Sequence, residues 1–465
     1  MSTVSHLSQI VQHLLHDYPR QIEREVGFVQ RNTVQLDGSR FVRSLVLGWM
    51  HEPQASYSQL TAVANSLGTP VSPQALEQRF TPAAVRLLKA VFQEASLAAL
   101  TASCEQEVPE LLGRFAGVYL QDGSVISLPE ALAATYPSTR TSRKPTGNSS
   151  LRVQVRWEFS RGGVDGIWLQ AGRDAEGKGV AQKLDLPRGS LFVGDIGYQS
   201  AIEMKQRGKA SCYWLTPARA NTVLFDERGV RFDLVSFLQA RGQAGWVDAQ
   251  VQVGVKERLS CRLVAFQQEG QTGKKRRHYA PKSRKGVQRC RPGQTKYQKG
   301  QKEKTRQKVI KSSPARQRLG KWIVLLTNLP QEKATREEVR VLMRVRWQEE
   351  LLWKLWKQYG KLDTWRSEKA ERIETEIYAK LIAVLIEHWL TIVGCWHNPK
   401  RSVRKAQQVC QWMSNGLSLA LQGKMDLEEL IEEILKPMQK GCRVDARRKK
   451  PSTYQYIARR SLSSS

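Results

Sequence analysis

The chain has 465 residues and is 40% hydrophobic, which is enough for several folded regions with buried cores. It has 74 Lys and Arg against 43 Asp and Glu, and this net charge of +31 exceeds what solubility requires and predicts a polyanionic partner. Its seven scattered cysteines form no CxxC pair, which argues against a disulfide framework or a zinc ribbon and indicates a reducing compartment.

The favoured polyanion is nucleic acid, and the alternative is an anionic membrane surface. The most apolar stretch, residues 380–396, contains Lys380, Glu387 and His388, so we expect a buried core helix there and no membrane partner. The segment MSTVSHLSQIVQHLL has no basic region before its apolar residues, so we expect no secretory signal. Together these features predict a cytoplasmic protein that binds nucleic acid.

Residues 1–105 have the periodicity of helices and form the first predicted region. Within it, residues 56–80 predict a helix, a turn at Gly68 and a second helix with Ser72 as its N-cap. This pattern is typical of a DNA-binding helix-turn-helix, and an ordinary helical hairpin is the alternative. The candidate DNA-binding side chains of the second helix are Gln74, Gln78 and Arg79.

Residues 110–216 change to strand patterns and predict a mixed sheet. Five strands are expected at 117–123, 150–160, 166–172, 190–195 and 210–216. Turn-rich loops separate the first three, which favours antiparallel pairing. The continuous apolar run SLFVGD is typical of a buried parallel strand, and a short helix at 200–208 would connect it to the last strand.

Residues 217–320 predict a β-rich, basic insertion. The stretch from Lys274 to Lys321 holds 19 Lys or Arg and one acid, and it cannot form a core by itself. Strand character returns at 321–330. The candidate DNA contacts in this insertion are Lys274, Lys275, Arg276 and Arg277.

Residues 321–400 form the next predicted region, and residues 401–465 are predicted to be helices followed by a basic tail that is unanchored until it meets an anion. The stretch VLMRVRWQEELLWKLWKQYGKL (341–362) predicts one long amphipathic helix. At about 100° per residue, Arg346, Glu350 and Lys357 fall on roughly one face of it. A solvated face is the alternative interpretation of this stripe.

Two acids follow the predicted strands, Asp122 after GVYLQ and Asp195 after SLFVG. Taken singly, Asp122 fits a hairpin turn with the Gly after it, and Asp195 fits the cap of the next helix. Taken together, they would meet at the carboxyl ends of neighbouring strands, where open α/β sheets bind ligands. With a third carboxylate from a packed helix they would suit Mg²⁺ or Mn²⁺.

Three blocks of the sequence resemble the DDE insertion-sequence transposases of the "insertion sequence four" family. QDGS (121–124) is similar to the block of the first Asp, and GDIGY (194–198) to that of the second. The family's third signature is Tyr, two residues, Arg, three residues, Glu, six residues, Lys. Arg346, Glu350 and Lys357 match it in register, whereas Met343 stands at the Tyr position.

The resemblance implies an α/β fold: a ribonuclease H-like catalytic core with a β-rich basic insertion, flanked by N-terminal and C-terminal helical regions. It implies that Asp122, Asp195 and Glu350 bind two Mg²⁺ ions, with Mn²⁺ as a substitute. It also implies that Arg346 and Lys357 hold DNA phosphate. The expected reaction is hydrolysis at the element ends, followed by attack of the freed 3′-hydroxyl on target DNA.

The same resemblance implies partners and one departure. The partners would be the terminal inverted repeats and target DNA, bound by a homodimer associated with the bacterial nucleoid. Met343 cannot donate a hydrogen bond, so the resemblance does not extend to tight capture of the 5′ end or decide whether a hairpin intermediate forms. Glu349 lies beside Glu350 but points about 100° away, and Glu350 is therefore the predicted ligand.

Two other functions are compatible with the sequence. One is a DNA-binding relic of a transposase without catalysis, which the Met343 departure favours. The other is a nuclease that cuts DNA without joining it.

Overall fold

The structure is a computed structural model of the full chain. The residues that it describes are 2–31, 35–98, 108–138, 149–174, 185–195, 200–219, 221–267, 319–396, 398–445 and 452–461. Structural statements below refer to these ranges.

A ten-stranded mixed sheet with the order β3-β2-β1-β4-β5-β10-β9-β8-β6-β7 runs through the molecule. Helices flank it, so the α/β class is confirmed. The strands are β1 (Val118–Leu128), β2 (Ser149–Glu158), β3 (Val164–Ala171), β4 (Leu191–Gly194), β5 (Tyr213–Pro217), β6 (Leu224–Phe225), β7 (Arg231–Phe232), β8 (Trp246–Val253), β9 (Leu259–Gln267) and β10 (Trp322–Thr327).

The first five strands have the predicted directions. Strands β1, β2 and β3 pair in antiparallel fashion, while β4 lies parallel to both β1 and β5. All four residues of β4 are buried, as expected for a strand covered on both faces. The predicted crossover helix between β4 and β5 is present as Ala201–Lys209, with Ser200 as its N-cap.

The insertion continues the same sheet. Strand β10 pairs with β5 on one side and with β9 on the other, and β8, β6 and β7 extend the sheet from β9. The hydrophobic residues of this half form their own cluster around Trp214, Leu263 and Leu326. The described part of 217–320 is therefore built on the edge that β10 provides.

The helices, numbered in chain order, are α1 (Thr3–Gln12), α2 (Tyr18–Ile22), α3 (Gly38–His51), α4 (Tyr57–Ser66), α5 (Pro73–Gln78), α6 (Pro82–Leu97), α7 (Glu110–Gly113), α8 (Ala201–Lys209), α9 (Leu234–Arg241), α10 (Arg336–Val345), α11 (Trp347–Trp353), α12 (Ala370–Cys395), α13 (Val403–Ala420), α14 (Leu427–Lys440) and α15 (Thr453–Ser461). Two π-helical turns, His13–Asp17 and Lys354–Tyr359, follow α1 and α11.

The N-terminal helices pack against the C-terminal ones. Helices α3 and α6 lie on α12, and α3 also contacts α13. The guanidinium of Arg43 in α3 donates to the carbonyl oxygen of Leu421 at 2.7 Å, far along the chain. The two ends of the chain thus share one hydrophobic core with strands β1, β2, β3 and β4.

Helix α12 is the predicted core helix. By length and composition it could cross a membrane, but 94% of its most apolar window is buried inside the protein. Its buried Lys380 pairs with Glu376 at 2.7 Å and donates to the carbonyl oxygens of Lys361 and Thr364. Burial among partners explains why a helix this apolar contains charged residues.

The prediction of an unanchored C-terminal tail is wrong for Thr453–Ser461. These residues form α15, which packs against α7 and α10. Ile457 is fully buried, and the ring of Tyr454 stacks on Phe159 with centroids 5.7 Å apart. The spaced apolar residues of this basic segment give it a face that the core can cover.

Candidate active site

The parallel pairing of β1 and β4 brings the two predicted aspartates together. Gln121 is in register with Gly194, so Asp122 and Asp195 follow at matching positions of neighbouring strands. Strand β4 ends at Gly194, whereas β1 continues to Leu128, so Asp122 lies within a strand and not at its end as predicted. The site is therefore a notch where one strand stops beside another that continues.

The structure contradicts the alternative roles of these two acids. Asp122 pairs with Val155 across an antiparallel ladder, so it is not a hairpin-turn residue. Asp195 does not cap the next helix, because the cap of α8 is the Ser200 hydroxyl, which accepts from the backbone N–H of Glu203. Among the described residues, neither aspartate caps a helix, and both lie at the notch.

The predicted helix at 341–362 is helical but interrupted. Helix α10 ends at Val345, Arg346 occupies a turn, α11 covers Trp347–Trp353, and a π-helical turn runs from Lys354 to Tyr359. A π-helical turn holds more residues than an α-turn, so the 100° spacing used in the sequence prediction does not hold along its whole length. Short π-helical segments often occur at functional sites.

Arg346 connects the helix to the sheet. Its guanidinium lies 3.7 Å from a carboxylate oxygen of Asp195 and 3.8 Å from one of Glu350. The Arg346 side chain is largely buried, while the Glu350 side chain is about half exposed at 52%. Arg346, Glu350 and Asp195 therefore form one charged group at the open side of the notch.

Lys357 contacts the backbone of β1. Its ammonium group donates to the carbonyl oxygen of Val125 in β1 at 2.7 Å. Burial lowers the pKa of Lys357, and the charge of Asp363 partly restores it. The two predicted phosphate-binding cations thus contact different groups: Arg346 lies near the carboxylates of Asp195 and Glu350, and Lys357 binds the backbone of β1.

Asp122 is held by two donors. Its Oδ1 accepts from the backbone N–H of Gly123 at 2.8 Å, and its Oδ2 accepts from the indole N–H of Trp353 at 3.0 Å. Trp353 is buried in the last turn of α11, so this bond fixes the helix against β1. The sequence analysis did not predict this contact.

The structure also places Glu349 at the site, where sequence reasoning had set it aside. Only 2% of this residue is exposed, and neither carboxylate oxygen has a hydrogen-bond partner. Burial raises its pKa well above the usual range, the charge of Asp122 raises it further, and Arg346 lowers it. The signal that was available is its position: 100° from the exposed Glu350 is the face that meets β1.

Glu350 has a different electrostatic environment from Glu349. Partial burial raises the pKa of its carboxyl, Arg346 lowers it, and the charge of Asp195 raises it. The charges of Asp122 and Asp195 both raise the pKa of Glu349, with Asp122 the larger cause.

A divalent-ion site fits the chemistry of these groups. All the donors are carboxylates, which Mg²⁺ and Mn²⁺ prefer, and the buried oxygens of Glu349 lack the hydrogen bonds that buried polar atoms normally have. Within the described ranges, no three Asp, Glu, His or Cys side chains already converge as a metal-binding group. Bringing them together requires a cation to offset the repulsion between like charges.

The predicted helix-turn-helix has the expected boundaries. Helix α4 ends at Ser66, Gly68 has φ +73°, and Ser72 caps α5. Gln74 and Gln78 are exposed on α5. Arg79 is partly buried and donates to the carbonyl oxygens of Phe28 and Leu36, so it faces the protein.

The basic candidates Lys274, Lys275, Arg276 and Arg277 lie outside the described residues. Met343, at the position of the family's Tyr, is partly buried and packs against the hydrophobic core. The structure thus gives this side chain a packing role next to the charged group.

Comparisons with known proteins show the family of the chain and several relatives. The family model described as "Transposase DDE domain" matches residues 122–386, which is more than half of the chain. The chain is 24% identical over 406 residues to the transposase for insertion sequence element IS231F of Bacillus thuringiensis subsp. israelensis, covering 82% of this chain and 78% of that protein. It is 22% identical over 354 residues to the transposase for insertion sequence element IS1151 of Clostridium perfringens, covering 71% and 69%. The family match begins at Asp122 and includes Asp195 and Glu350.

Proposed function

This chain belongs to the transposase DDE-domain family, and we propose that it cuts the ends of an insertion sequence and joins them to target DNA. The observation that carries the proposal is the notch at the end of β4. There Asp122 and Asp195 lie on neighbouring strands, and Arg346 connects Asp195 to Glu350.

The core of the proposal is a ribonuclease H-like fold in two parts, 110–216 and 321–400. Three antiparallel strands followed by two parallel ones, in the order β3-β2-β1-β4-β5, support it. The basic insertion 217–320 separates the two parts. Residues 1–105 form the DNA-binding region, and residues 401–465 form the C-terminal helical region.

The catalytic residues in this proposal are Asp122, Asp195 and Glu350, which would hold two Mg²⁺ ions, or Mn²⁺ in their place. When bound, such ions lower the pKa of a water molecule and stabilise the leaving oxygen of a phosphodiester. Water then supplies the oxygen that joins the 5′ phosphate, and the 3′-hydroxyl leaves. In the second reaction this 3′-hydroxyl attacks a target phosphodiester and displaces another 3′-hydroxyl.

Arg346 and Lys357 would bind the phosphate groups on either side of the cut. Arg346 presents a planar guanidinium that can exchange its long contacts with Asp195 and Glu350 for phosphate oxygens. Lys357 is already directed at β1 by its bond to Val125. Because Met343 offers no donor, the two cations hold the phosphate without a tyrosine hydroxyl.

The DNA partners in this proposal are the terminal inverted repeats and the target. Gln74 and Gln78 of α5 are exposed for base contacts. The run from Lys274 to Lys321 would bind phosphate without sequence preference, so affinity should fall steeply with salt. Two ends must be held together, which requires a homodimer in the complex, associated with the bacterial nucleoid in the cytoplasm.

The test is a Mg²⁺-dependent cleavage assay on a labelled fragment that carries one end of the DNA flanking this gene. The native protein should cut at a defined phosphodiester, and Glu350→Gln should bind the same fragment without cutting it. Glu433→Gln, which removes an exposed acid of α14, is the matched control and should cut normally. Equal binding with no cutting by the native protein, in Mg²⁺ and in Mn²⁺, would support a DNA-binding relic instead.

A further inference from the structure

Glu349 is a buried acid that the proposed reaction does not use. It is 2% exposed, and both of its oxygens lack hydrogen-bond partners. Leaving a buried polar group unpaired is costly, so such groups usually have a partner or a function. No base faces this carboxylate closely enough to pair with it, although Arg346 is near enough to influence it.

The surroundings of Glu349 point toward Asp122. Helix α11 packs on β1, and the charge of Asp122 affects Glu349 more than that of Asp195 does. The backbone N–H of Gln121 also lies near its carboxylate, outside hydrogen-bonding geometry. On the other side of the helix, Glu350 is connected through Arg346 to Asp195.

We propose that Glu349 is a fourth carboxylate of the divalent-ion site, acting with Asp122 while Glu350 acts with Asp195. The inference rests on the proposed function, since it assumes that the notch binds divalent ions. Two adjacent glutamates on different faces of one helix would then serve two different ions. The orphaned oxygens of Glu349 are the ligand atoms, and Asp122 is its neighbour in the shared site.

A purely structural role for Glu349 leads to different expectations. If its carboxyl only packs against β1, replacing it should change folding stability and leave ion affinity untouched. If it is a ligand, the neutral isostere should be at least as stable as the native protein without metal, because it removes an unpaired acid beside Asp122. The same isostere should bind ions more weakly.

The experiment is a titration of the full chain with Mn²⁺ in the absence of DNA. The electron paramagnetic resonance signal of the free ion measures how much Mn²⁺ is bound. Native protein, Glu349→Gln, Glu350→Gln and the exposed control Glu433→Gln are compared, with melting temperatures measured with and without Mn²⁺. We expect Glu349→Gln and Glu350→Gln each to weaken Mn²⁺ binding at least about tenfold, and Glu433→Gln to match the native protein. Glu349→Gln should also show a smaller rise in melting temperature on adding Mn²⁺.

The outcomes separate the two claims. If Glu350→Gln weakens Mn²⁺ binding and Glu349→Gln does not, the inference is overturned and the proposed function stands. If the native protein binds Mn²⁺ no better than the double variant Asp122→Asn, Asp195→Asn, both fail. Should Glu349→Gln not fold, Glu349→Asp replaces it. This variant keeps the charge but withdraws it by one methylene, and it should bind Mn²⁺ more weakly in a folded protein; native affinity would overturn the inference.

Discussion

Helices α11 and α12 both carry charged residues among apolar ones. Lys380 in α12 and Glu349 in α11 differ in the hydrogen-bond partners that they have. In α12, Lys380 has a carboxylate and two carbonyl oxygens as partners, and Glu387 accepts from Gln407 at 2.8 Å. In α11, the oxygens of Glu349 have no hydrogen-bond partner, and Glu350 has one long contact with Arg346. The comparison indicates that Lys380, which has several partners, stabilises the fold, whereas Glu349, neither of whose oxygens is hydrogen-bonded, lies at the site.

The largest effect should come from Asp122→Asn. Loss of one carboxylate at the notch should reduce cleavage by at least about 10³-fold, which corresponds to about 4 kcal/mol in the activation barrier. Folding stability should be unchanged or slightly higher, since one of several repelling acids becomes neutral. Single-turnover cleavage and thermal melting of the same preparations measure both. If the variant has a much lower melting temperature than the native protein, the role of Asp122 is to stabilise the fold.

Lys380→Ala should show the reverse pattern. Removing the lysine leaves Glu376 buried with its main partner gone, which should lower the free energy of unfolding by about 3–5 kcal/mol. Urea denaturation measures this, with Lys436→Ala as the control because its pair with Glu433 is exposed. DNA cleavage by whatever fraction remains folded should be normal. If the folded variant does not cleave DNA, Lys380 is needed for cleavage as well as for stability, and the two helices do not differ in the way described.

His388 of α12 allows a test by pH. Burial lowers the pKa of this imidazole to about 4, and its Nε2 lies 2.8 Å from the carbonyl oxygen of Gly162. Because the folded-state pKa is below the ordinary value, the stability it contributes is complete above about pH 6.5 and is lost as the pH falls toward 4. The free-energy difference between native protein and His388→Gln should change by about 3 kcal/mol over that window. A difference independent of pH, measured by urea denaturation, would show that His388 does not titrate in this way.

The smallest effect should come from Trp353→Phe, which removes the indole N–H that holds Asp122. A lost hydrogen bond to a charged acceptor is worth about 1.5 kcal/mol, so cleavage should fall about tenfold. Trp412→Phe, on the exposed surface of α13, is the control and should cleave normally. Unchanged cleavage by Trp353→Phe, measured under single-turnover conditions, would show that Asp122 is oriented by other contacts.

Much of the fold was predictable because local patterns coincide with long-range pairing. The apolar run of β4 has no polar residue to expose, so it had to be buried between two strands. The turn-rich loops between the first three predicted strands similarly indicated their antiparallel pairing. The position of Asp122 and Asp195 beside each other followed from these strands alone.

The sequence predictions differ from the structure where tertiary packing changes local geometry. Strand β1 continues beyond Asp122 because β2 offers it a partner as far as Ser149, a pairing that residues 117–123 do not reveal. The π-helical turn after Trp353 changes the angular spacing between Arg346 and Lys357, which a regular periodicity would keep on one face. The burial of Glu349 depends on how α11 packs against β1, a contact that the sequence does not reveal.

Joining of a pre-cut end tests most directly whether the protein transfers insertion-sequence ends to target DNA. A labelled duplex with one element end and a free 3′-hydroxyl is incubated with the native protein, a supercoiled plasmid and Mg²⁺. If the notch carries out strand transfer, the label becomes covalently joined to plasmid DNA. This product should be absent with Glu350→Gln and with a 3′-deoxy end. If the native protein cuts intact ends at a defined position yet joins none of the pre-cut ends, the chain is a nuclease and the transposase mechanism proposed for the notch is contradicted.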